Sequence, residues 1–184
     1  MEKYLYLGIL LFAISYPLAQ SFEHRIRYAT QWKFLFPGMV LTAAFFIVWD
    51  IWFTQLGVWE FNPTYVLGFF WMDLPLEEWL FFLIVPFSSV FIYEVLIYFF
   101  PKDHFLPFGK AFVWILAPFL LVMSILHLDK WYTSVNFLIG ALTLIVHYLI
   151  FKEKYLGRFI FAYLVHLIPL ILCNGILTGG LTEE

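Results

Sequence analysis

Leu74 to Phe100 reads LPLEEWLFFLIVPFSSVFIYEVLIYFF, and everything else in the chain is placed by it. Two adjacent glutamates, Glu77 and Glu78, open an apolar run as long as a bilayer core is thick. At 1.5 Å per residue a helix needs about 20 apolar residues to cross roughly 30 Å of hydrocarbon. A carboxylate is costly there, so it requires either a structural or a chemical reason.

The rest of the chain repeats the apolar signal. Of 184 residues, 64% are hydrophobic and 12% charged, with a mean hydropathy of +0.89, which excludes an ordinary soluble domain. Six apolar segments stand out, at about 4–20, 34–55, 77–100, 109–127, 132–150 and 159–178. In lipid each must satisfy its own backbone, so the predicted fold is an all-α polytopic membrane protein with six transmembrane helices. The first segment follows Met1-Glu2-Lys3 without a cleavage site of small residues, and reads as a retained helix.

Eight of the ten cations fall in three alternate connections: Arg25, Arg27 and Lys33; Lys102 and Lys110; Lys152, Lys154 and Arg158. The positive-inside rule puts those in the cytoplasm and the N-terminus outside. Connection 56–76 then lies outside. It has no Lys or Arg and is rich in aromatic residues, so it is expected at the membrane interface or folded over a pocket. A weak internal echo aligns Asp50 and Thr54 with Asn174 and Thr178 at one constant shift. It suggests two three-helix repeats, 1–103 and 104–184, the second lacking its last helix, with a site between them.

Several function classes drop out. Cys173 is the single cysteine, so there is no intrachain disulfide and no cysteine metal motif. No HExxH, phosphate-binding or dinucleotide glycine pattern, or nucleophile motif occurs, and no basic patch suggests nucleic acid. His127, His147 and His166 fall at different depths, which does not suit a haem held by two histidines. Neither metal nor cofactor is expected.

The acids remain. Asp50 lies about five residues, hence about 7 Å, inside the outer end of helix 2. It should therefore face protein. Glu77 and Glu78 follow Pro75 at the outer mouth of helix 3. The bland account is a proline in the first turn with acids complementing the helix dipole, worth about 0.3–1 kcal/mol each. The functional account is a proton donor or cation stabiliser. Neighbours on a helix differ by about 100°, so at most one of the two glutamates points squarely inward. Glu94, about 25 Å farther along helix 3, is expected to pair with Arg25, Arg27 or a helix end. The abundant aromatic residues, 23% of the chain, suit both lipid contact and a pocket for a long conjugated hydrocarbon.

Residues 48–96 resemble the small integral-membrane lycopene cyclases of bacteria and archaea. These occur as heterodimers or fused chains, and in fungi as a domain fused to phytoene synthase. The likeness lies in Trp49-Asp50, Gly57-Val58-Trp59, Phe61-Asn62-Pro63, Leu74 through Phe82, and Phe91-Ile92-Tyr93-Glu94, and more loosely in 174–184. It implies a lycopene β-cyclase, a cofactor-free enzyme of intramolecular lyase or isomerase type. Glu77 or Glu78 would be the acid and Asp50 the base or cation stabiliser. Trp49, Trp59, Asn62, Pro75, Phe81, Tyr93 and Asn174 would line the site for lycopene or a related carotenoid. Fused family members carry a second acidic motif beyond the stretch at which this sequence stops. The resemblance therefore also implies a second cyclase subunit or a second copy as partner, beside membrane lipid. The rival reading from the acids alone is a proton-coupled transporter or channel subunit, with Asp50, Glu77 and Glu94 as a relay.

Overall fold

The computed structural model describes residues 2–177. It contains α1 (Leu5–Gln20), α2 (Trp32–Gln55), a hairpin of β1 (Phe70–Trp71) and β2 (Leu74–Pro75), then α3 (Leu76–Phe99), α4 (Leu106–Leu126), α5 (Trp131–Phe151) and α6 (Leu156–Leu177). Each helix end falls within three residues of its expected place. Five helices are long and apolar enough to cross a membrane. The exception is α1, whose 16 residues cover about 24 Å. A 3-10 turn at Glu2–Tyr4 precedes it and adds about 6 Å. The protein is a polytopic membrane protein of all-α class, and large apolar side chains are exposed along all six helices, as lipid contact requires.

Packing divides the chain into two units, one of residues up to Phe99 together with 165–177, the other of Phe100–Leu164. This division is one of contacts and does not bear on the repeats expected at 1–103 and 104–184. Thr178, which the echo pairs with Thr54, and Gly179-Gly180 lie outside the described residues.

In the first unit α3 packs against α1 and α2. Leu10 of α1 is buried with Tyr6, Val66 and Ile84, and Phe81 packs against them. Along α2 the buried residues are Met39, Ala43, Ile47, Asp50 and Phe53, spaced three or four apart, so Asp50 sits on the stripe that faces protein. Proline makes one helix contact specific. Pro17 has no N–H to give Ala13, four residues earlier, and the freed carbonyl accepts a hydrogen bond from Ser88 Oγ of α3 at 3.1 Å. Deeper in the bundle the buried Tyr28 hydroxyl donates to the Phe87 carbonyl at 2.8 Å, with its ring edge-on to Phe87 and Phe91.

The second unit is a helical hairpin of α4 and α5 with the start of α6. Small residues line its seam: Ala117, Ser124, Ser134 and Ala141 are buried, and Ser134 Oγ donates to the Ser124 carbonyl at 2.9 Å. At Gly157 a Cβ would collide with the Asp103 carboxylate and the Leu106 amide, so only glycine fits.

The connection 56–75 folds back onto the unit rather than trailing in solvent. Gly57, at φ +69, closes α2 with the paired bonds Val58 N–H to Phe53 O and Gly57 N–H to Thr54 O. That turn sends Trp59 back along α2. The β1–β2 hairpin was not expected from sequence. Its two-residue turn, Met72-Asp73, has positive φ at both positions, 50° and 65°. Those angles match the twist of the strands but are normally filled by Asn-Gly. Of the partners expected for Glu94, Arg25 is engaged by Glu23 at 2.8 Å, and Glu94 itself is half-buried near Tyr28.

Candidate functional site

Asp50, Glu77 and Glu78 converge at the end of the first unit where α2 stops and α3 begins. Glu77 is completely enclosed, 0% exposed, because the connection closes over it. Its Oε1 accepts the Leu67 N–H at 2.7 Å, while Oε2 is buried without a partner among the described residues. Glu78 is one residue on and turned toward α1. Its Oε2 accepts the Tyr6 hydroxyl at 2.5 Å, and the residue is half-buried. The two glutamates are thus inequivalent, as their 100° separation requires. One ties down the covering loop and the other is held by a phenol.

Asp50 is 5% exposed, and its Oδ2 is also buried without a partner among the described residues. It lies close enough to Glu78 for the two charges to interact, and Asp50, Glu77 and Glu78 all act on the Tyr6 hydroxyl. The Trp59 indole N–H donates to Thr54 Oγ1 at 3.0 Å and also reaches the Asp50 carboxylate. Trp49, Phe53 and Trp59 stack in sequence, with centroids 5.0 and 5.4 Å apart and planes within 23° and 17°. Phe53 is fully buried between its neighbours, leaving Trp49 and Trp59 as the reachable faces beside the acid. Trp71 of the hairpin stacks on Trp79 of α3 at 4.3 Å.

Of the residues expected from sequence, Asp50, Glu77, Glu78, Trp49 and Trp59 come together, with Pro75 buried in β2 of the hairpin and Phe81 packed toward α1. Asn62 is exposed, and its Oδ1 accepts the Thr64 N–H at 2.9 Å, an Asx turn that shapes the connection. Tyr93 is about 22 Å along α3 from Glu78, too far for the same cluster. Asn174 is exposed on α6. Tyr6 went unnoticed in the sequence, although its place near the start of the first helix puts it at the same end of the bundle as the acids.

Chemically, this is an apolar, aromatic-lined membrane site with several carboxyl groups, able to give a proton, take one, and shelter a carbocation. The fold and site define the class as a polytopic helical membrane protein with a carboxyl cluster among stacked aromatic rings. The family model described as lycopene cyclase matches residues 3–96 and 129–184, and the chain belongs to that family. No curated protein and no solved structure matches it. Family membership makes the chain a carotenoid cyclase of the membrane.

Proposed function

We propose that the protein is a lycopene β-cyclase, with Glu78 as the acid and Asp50 as the base. The observation that carries this is the inequivalence of the two glutamates beside a buried aspartate. Glu78 is half-buried and oriented by Tyr6, whereas Glu77 is fully enclosed and bonded to Leu67. Glu78 gives its proton to the terminal double bond of the ψ end group. The resulting tertiary cation is attacked by the next double bond, closing the six-membered ring, and Asp50 removes a ring proton to leave the β end group. One proton enters and one leaves, so the product is an isomer of the substrate and no oxidant or reductant is consumed. Return of the proton from Asp50 to Glu78 completes the turnover. Trp49 and Trp59 present π faces near Asp50, each worth about 0.5–2 kcal/mol to a desolvated cation. The covering connection keeps water from quenching the cation. Expression in a lycopene-accumulating host, followed by pigment chromatography, tests the reading. The wild-type chain, by itself or with a second cyclase subunit supplied, should yield cyclised carotenoid, and Glu78→Gln should lower conversion in that arm by about 100-fold or more. Full conversion by that variant would remove Glu78 as the acid.

A further inference from the structure

We infer that Tyr6 is the positioning residue of Glu78, selecting which carboxyl oxygen carries the proton that is transferred; the inference rests on the cyclase reading above. The phenol is fixed from two directions. Its ring is buried with Leu10, Val66 and Ile84, and its backbone N–H donates to the Tyr65 carbonyl at 3.3 Å. Only the hydroxyl is left to act, and it donates to Glu78 Oε2 at 2.5 Å. A phenol has one proton to give. With Oε2 thus occupied, the acid proton of Glu78 resides on Oε1. As that proton leaves, charge grows on the carboxylate, and a donor already in place stabilises it without reorganising. The titratable groups around this hydroxyl are Glu78, Asp50 and Glu77, from α2 and α3, and no described cation stands among them. In this site the phenol is the neutral donor that steadies the Glu78 anion.

A plain tie between α1 and α3 would have the same geometry but different consequences. Tyr6→Phe keeps the ring and its apolar neighbours and removes only the donor. In purified, lipid-reconstituted protein, Tyr6→Phe should lower kcat for lycopene cyclisation about tenfold and leave KM within about twofold, because the lost interaction strengthens in the transition state. A raised KM with unchanged kcat, or no change in either, overturns the inference. A second measurement uses the unfolding midpoint of wild type, Tyr6→Phe, Glu78→Leu and the double variant. Tyr6→Phe should lower the midpoint of wild type and leave that of Glu78→Leu unmoved, since the two residues act as one unit. Equal losses in both backgrounds would show that the phenol does not act through Glu78. If the wild-type protein leaves lycopene unchanged both by itself and with a second cyclase subunit, the cyclase reading fails and this role fails with it. If cyclisation persists and the coupling is absent, this inference alone fails.

Discussion

At the scale of single residues, the adjacent glutamates show what one step along a helix does. Glu77 and Glu78 have the same chemistry, yet one is enclosed beneath Leu67 and the other is held by Tyr6. Their substitutions should therefore differ. Glu77→Ala strands the buried Leu67 amide and should cost about 1–3 kcal/mol of stability, read as a lowered denaturation midpoint. Glu78→Gln keeps both size and polarity, so its loss of cyclisation should come with an unchanged midpoint. If the two variants behaved alike in both measurements, the assignment of roles would be wrong. Proximity of Asp50 to the glutamates was legible in the sequence, because topology placed all three at one depth. Tyr6 was not, since a tyrosine near a helix start is ordinarily an interfacial anchor.

At the scale of elements, helix boundaries were readable from apolar run lengths, and Asp50 falls on a stripe of three- and four-residue spacing. The hairpin was hidden because Met72-Asp73 lacks the Asn-Gly signature of its turn. Holding a non-glycine residue at positive φ costs about 1–2 kcal/mol, so Met72→Asn, at an exposed position, should raise the unfolding midpoint. A lowered midpoint would mean that Met72 contributes contacts outweighing its strain. The α1–α3 clasp is testable through its proline. Ser88→Ala should destabilise by about 0.5–1.5 kcal/mol, and adding Pro17→Ala should recover much of this, because residue 17 then supplies the N–H that Ala13 lacks. No recovery would show that Ser88 acts otherwise. In the connection after α1, Arg25 holds the Glu23 carboxyl below its ordinary value of 4.5, and Glu23 also accepts the Arg25 and Ile26 amides. A depressed carboxyl stabilises the folded form above its unfolded value and loses that effect as pH falls through the folded one. Exchange protection of those two amides should therefore persist at neutral pH and fade in acid below about 4.5.

At the scale of the whole molecule, the sequence disclosed the membrane class and, through its cations, an expected side for the site. Eight of ten cations in alternate connections predict that 56–75 faces outward. Reporter fusions in that connection should read as external, and a cytoplasmic signal would reverse the orientation. Family membership and the carboxyl cluster meet at one place, the start of α3, where Glu78 stands beside Asp50 and two tryptophan faces. The most direct test is pigment chromatography from a lycopene-accumulating host that expresses the chain, by itself and with a second cyclase subunit. Cyclised carotenoid in at least one arm, reduced about 100-fold by Glu78→Gln in that same arm, is the predicted result. Lycopene recovered unchanged from both arms, or cyclisation indifferent to Glu78, would contradict the account.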